Sequence, residues 1–138
     1  MVLNRELMRD RFMDIEESLA RLEQLKQMPR QSFLADQDAL DIASYRLLVA
    51  IEAAIQTCFH VNAQQLRRIP QEYAECFAIL VDAGLLPADL GVRLQQMARF
   101  RNMLVHVYWE VDYDRVYDVL QHNLDDLRQF VQSMGELL

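Results

Sequence analysis

Residues 101–108, RNMLVHVY, place an arginine, an asparagine, a histidine and a tyrosine within eight positions. Arg101 carries a planar donor fork that can hold a phosphate through two parallel bonds, and the imidazole of His106 is a side chain that can take or give a proton. Together these types could bind a phosphodiester and move the protons that its cleavage requires. Their spacing is awkward for such work. Five positions turn an α-helix by about 500°, which leaves the two side chains about 140° apart, whereas pairs that share a face stand at i,i+3 or i,i+4. Asn102 and His106 do share a face, and Tyr108 follows Arg101 by about two helical turns.

Arg101 also falls on the face of Leu94 and Met97, where an aliphatic residue is expected. A guanidinium pointing inward needs a carboxylate, a phosphate or a rim position from which it can reach water. Glu52, inside the apolar run VAIEAAI, is a second anomaly of the same kind. It faces a polar gap or pairs with a cation such as Arg101, which makes it a candidate supporting residue. His60 and His122 read as structural histidines at helix ends or on polar faces. No set of His, Cys and carboxylates has metal-ligand spacing, three isolated glycines leave no phosphate-binding loop, and no nucleophilic triad is visible. Neither metal nor cofactor is expected.

The net charge of −7 argues against a protein that coats nucleic acid non-specifically. Its distribution is more informative. No acidic residue occurs from Leu90 to Trp109, a window holding Arg93, Arg99 and Arg101, and none occurs from Ala53 to Gln71, where Arg67 and Arg68 sit. A local positive patch around RNMLVHVY follows, with Arg99 and Arg93 as candidate substrate contacts; arginines scattered over solvated faces are the alternative.

The elements that would position these residues are helical. Met8, Phe12, Ile15, Leu19 and Leu22 recur at spacings of four and three, the period of one buried stripe, within a helix over 4–27 that Asn4 can cap. A second helix over 36–60 is apolar on more than one face and so belongs at the centre. A third, over 71–83, stops at Gly84 and Pro87. The fourth starts near Ala88 and runs into the motif, and the fifth starts near Asp112. VHVYWEV, at 105–111, could be a short extended piece but is better read as the frayed end of helix four and its link to helix five. The chain of 138 residues is expected to be a single all-α domain over 1–138, an up-and-down bundle of four to five helices. No uninterrupted apolar run nears the roughly 18 residues of a membrane span. Cys58 and Cys76 form no Cys-x-x-Cys pair and are expected to be two buried, reduced thiols of a cytoplasmic protein.

A helical bundle whose penultimate helix ends in Arg, a polar residue, a few more positions and then His resembles the HEPN superfamily. RNMLVHVY is similar to that superfamily's Arg-x4-6-His signature, and its HVY ending resembles the HepT-like toxins in particular. NRELMRDRFMDIEESLARLEQL and SYRLLVAIEAAIQTCFHV resemble the family's first two helices. The resemblance implies a metal-independent endoribonuclease toxin, active as a homodimer in a toxin–antitoxin pair and cutting tRNA or mRNA. By position, Arg101 and His106 would be catalytic, with Asn102 as a supporting polar group. Tyr108 would be the tyrosine adenylylated by a minimal nucleotidyltransferase antitoxin of the MntA type. A different class of function is a non-catalytic helical adaptor or nucleotide-binding subunit of such a nucleotidyltransferase. A homodimer would resolve the spacing of Arg101 and His106, because two copies of the motif would meet across its axis. A helix that unwinds just before His106 would do the same within one chain. The dimer is preferred, since it also accounts for arginines concentrated here in an acidic chain.

Overall fold

The computed structural model describes residues 2–106 and 111–138. The two longest helices start where a short polar side chain can satisfy the orphan N–H groups of a first turn. Asn4 Oδ1 accepts from the Leu7 N–H at 3.0 Å ahead of α1 (Arg5–Lys26), and Asp36 accepts from Ala39 N–H at 3.1 Å ahead of α3 (Gln37–Val61). Between them lies the single turn α2 (Arg30–Leu34), opened by Pro29. The chain then passes through a π-helical turn (Asn62–Leu66) to α4 (Tyr73–Asp82), α5 (Ala88–Val105), α6 (Tyr113–His122) and α7 (Leu124–Gly135). No strand occurs among the described residues.

The expected bundle is present, with two additions. The short α2 inserts Phe33 into the core, and the expected fifth helix divides into α6 and α7 at Asn123. There the Asn123 amide donates to Asp126 at 3.0 Å, starting a new helix before the old one has run on. Met8, Phe12, Ile15, Leu19 and Leu22 form the buried stripe of α1, which packs along α3. Helix α3 is buried on most of its circumference, as a central helix should be. Over residues 37–66 it has the length and hydropathy that would also suit a membrane span, a property it shares with core helices of bundles.

Helix α4 ends as its punctuation predicts. Gly84 adopts φ +77°, the Leu85 N–H reaches Leu80 O at 2.9 Å and the Gly84 N–H reaches Val81 O at 3.0 Å. These two bonds make a Schellman cap, which favours glycine at the left-handed position. Helix α5 then folds back along α4, and the two approach closely at Gly91, where any Cβ would collide with the Val81 side chain.

One expectation is corrected. Cys58 on α3 and Cys76 on α4 are joined as a disulfide rather than standing as two free thiols. Their Cα atoms lie 6.1 Å apart, within reach of such a bond, because the π-helical turn brings α4 back against the end of α3. Asn62, buried in that turn, donates to the Cys76 carbonyl at 3.2 Å and fixes the return.

Candidate active site

Helix α5 lays Leu90, Leu94 and Met97 into the core, and the next position on that face is Arg101. Its guanidinium meets the carboxylate of Glu52, which α3 presents from its apolar stretch. Arg101 Nε donates to Glu52 Oε1, and Arg101 Nη1 donates to Asn102 Oδ1 at 3.3 Å. The side chains of Arg101 and Glu52 remain 20% and 30% exposed. The pair therefore stands at the rim of the core, where two anomalous residues of the sequence satisfy each other with one edge still open to water.

A third residue completes the setting. Tyr73, the first residue of α4, places its ring 4.9 Å from the Arg101 guanidinium carbon, a cation–π contact. Phe59 of α3 meets the same ring nearly at right angles with centroids 5.9 Å apart. Nothing in the sequence singled out Tyr73; an aromatic at an exposed helix start was the only signal. Tyr73, Asn102 and the exposed Arg99 line a pocket of about 300 Å³, together with Gln71, Glu72, Ala74 and Ala98. Ala98, Arg99 and Asn102 reach it together because they share one face of α5.

Helix α5 ends at Val105. His106 is exposed and extended, with φ −80° and ψ 109°. The angular relation of Arg101 to His106 on a continuous helix therefore does not apply, and one chain already escapes the 140° separation. Tyr108 lies outside the described residues. Arg93 is not brought to this site. Its Nε donates to Asp126 at 2.8 Å and its Nη1 to Asp89 at 3.4 Å, and it lines a separate pocket of about 210 Å³ with Phe100, Arg115 and His122. The Leu90 N–H and then Arg93 hold the Asp89 carboxyl below its usual range, so that end of α5 is a closed ionic network.

The family model described as ribonuclease HepT-like matches residues 15–134. Over 80 residues the chain is 39% identical to the mRNA nuclease HepT of Shewanella oneidensis. That stretch is 58% of this chain and 60% of the relative, so the alignment spans less than two thirds of the relative's length. The fold superposes on a tri-AMPylated Shewanella oneidensis HEPN toxin solved in complex with an MNT antitoxin, with a TM-score of 0.87 and 29% identity over 96% of this chain and 98% of that one. YutE, a cytosolic protein of unknown function from Bacillus subtilis, shares the fold alone, with a TM-score of 0.84 at 20% identity over 97% and 90% of the two chains. With the matched region running from α1 to α7, the chain belongs to the HepT-like ribonuclease family.

Proposed function

We propose that the chain is a metal-independent endoribonuclease toxin that cleaves tRNA or mRNA. The observation that carries this reading is the Arg101–Glu52–Asn102 cluster at the point where α5 stops and His106 begins, in a chain of this family. The mRNA nuclease activity named for one relative supports RNA as the substrate class, and the antitoxin complex of another supports a nucleotidyltransferase partner.

The chemistry follows from the residue types. Glu52 and Asn102 fix the guanidinium plane, so the Nη2 end of the fork can meet a phosphate oxygen without reorganising. Arg101 then stabilises the extra negative charge that accumulates on a pentacoordinate phosphorus. His106 takes the proton from the ribose 2′-hydroxyl as that oxygen attacks phosphorus, and a second imidazole protonates the departing 5′-oxygen. The products are a 2′,3′-cyclic phosphate and a 5′-hydroxyl. In a homodimer the second imidazole is the partner's His106. A stripe on the outer face of α3 supports such a dimer: Tyr45, Val49, Glu52 and Gln56 follow one another at spacings of four and three, and Tyr45 is 61% exposed. A second copy seated on this stripe would come up against the Glu52–Arg101 pair. Adenylylation of Tyr108, two residues from His106, would add an anionic and bulky group beside the site and so exclude RNA by charge and by volume.

The direct test is cleavage of cellular RNA with divalent ions chelated, comparing the wild type with Arg101→Ala and His106→Ala. Cleavage by the wild type alone, leaving cyclic phosphate ends, is the expected outcome; activity surviving both substitutions overturns the mechanism. Incubation with the nucleotidyltransferase and ATP should add adenylyl mass to a peptide containing Tyr108.

A further inference from the structure

We infer that the pocket between the start of α4 and the end of α5 is a nucleobase subsite, with Tyr73 as the stacking platform for a base next to the scissile phosphate. The inference rests on the ribonuclease reading and adds the part of the substrate that the site grips.

Three features of the pocket point to a base rather than to a phosphate. Its apolar lining is an aromatic residue and two small ones, Tyr73, Ala74 and Ala98, beside the polar Gln71, Glu72, Arg99 and Asn102. Its volume of about 300 Å³ lies at the lower end of the range for small-molecule sites, roughly 300–1,000 Å³. Its lining includes Glu72, an acidic residue whose carboxylate would repel phosphate oxygens but can accept bonds from the amino edge of a base. The cations stand where the flanking phosphates need them, Arg101 against the Tyr73 ring and Arg99 in the pocket wall. A base stacked on Tyr73 would thus have one phosphate at Arg101, the catalytic position, and the next at Arg99.

The platform is held firmly. Tyr73 keeps 38% of its surface exposed although Arg101 and Phe59 pack against its ring. The strand of chain before it is pinned by the Gln71 N–H, which donates to Glu75 Oε2 at 2.8 Å. Stacking on such a platform is sequence-tolerant, because every base has a π-face, while Glu72 and Asn102 add a preference for bases that can donate from an amino edge.

Because Tyr73 also touches Arg101, the test must separate gripping a base from positioning the arginine. Single-stranded RNAs with one abasic residue, placed in turn on either side of a known cleavage position, are cleaved by wild type and by Tyr73→Leu. At the stacked position, base removal should lower kcat/KM for the wild type by about tenfold or more, the range that base–aromatic stacking spans. Tyr73→Leu should then show no further loss on the abasic RNA. Losses that multiply, or no abasic effect at either position, overturn the subsite while leaving the nuclease standing. A second measurement does not depend on cleavage: a fluorescent adenine analogue in an uncleavable 2′-O-methyl strand, titrated with His106→Ala protein. Quenching that disappears with Tyr73→Leu supports the subsite even if the wild type cuts no RNA. Quenching unchanged by Tyr73→Leu rules the subsite out.

Discussion

Arg93 and Arg101 are the same residue type on the same helix, and the structure uses them differently. Arg93 gives its Nε to Asp126, a carboxylate only 5% exposed that also accepts from Asn123, and gives Nη1 to Asp89. It is a clamp between α5 and α7. Arg101 meets a single carboxylate, 30% exposed, through Nε, leans on an aromatic ring, and gives Nη1 only to the neighbouring Asn102 amide. The position of an arginine in a basic stretch therefore does not decide its role. That is decided by how many carboxylates the fold brings to it and by how deeply the accepting carboxylate is buried.

The sharpest way to break this contrast is to remove each arginine in turn. Arg101→Ala should reduce the cleavage rate by about 10²–10⁴-fold, the scale of losing a transition-state contact, with little change in urea midpoint because a rim ion pair contributes only about 0–1 kcal/mol. Arg93→Ala should instead lose about 2–3 kcal/mol in denaturant unfolding, since it strands the buried Asp126 carboxylate. Equal loss of rate from both at unchanged stability would erase the distinction. Next in size is Gly91→Ala, which forces Val81 aside and should cost about 1–3 kcal/mol; Val81→Ala in the same chain should recover most of it. Glu52→Gln keeps an acceptor for Arg101 Nε but gives up the charge-assisted bond, so kcat/KM should drop about tenfold. The smallest effect concerns pH. His60 Nε2 accepts the Asn4 N–H at 2.9 Å, which only the neutral imidazole can do, and burial holds its pKa below 6.5. The unfolded chain then binds more protons than the native one, so stability is full above pH 6.5 and falls by at most about 1 kcal/mol as the pH drops toward the folded value. Melting curves from pH 7.5 to 5 should show this decline in wild type and not in His60→Gln, and the cleavage profile measured in that variant would report the site free of it.

Much of this arrangement was legible in the residues themselves. The stripe from Met8 to Leu22 and the cap at Asn4 define α1 locally, because periodicity and capping act within a few residues. The Arg101–Glu52 pair could be anticipated because each residue violates the apolar pattern of its helix and each can satisfy the other. What stayed hidden depends on how helices return in space. Cys58 and Cys76 meet only because a π-helical turn reverses the chain between them. Tyr73 reaches Arg101 only because α4 and α5 lie side by side, and the closeness of that contact depends on Gly91, which in sequence reads as a mild weakness in a helix. Arg93, read from charge alone as a substrate contact, could not be told from a clamp without Asp126, which lies 33 residues away.

The stop of α5 at Val105 has a consequence for how chain length can vary around this motif. Inside a helix, each inserted residue swings everything after it by about 100°. Beyond a helix end, in extended chain, an added residue lengthens the reach by about 3.3 Å instead. An arginine anchored to Glu52 inside the helix, with its histidine on the extended exit, can thus accept a spacing of four, five or six residues without losing its grip on α3. The same insertion placed before Arg101 would carry the guanidinium off the Glu52 face. In this chain the four residues between Arg101 and His106 close the helix and the histidine stands just outside it, where length changes are tolerated.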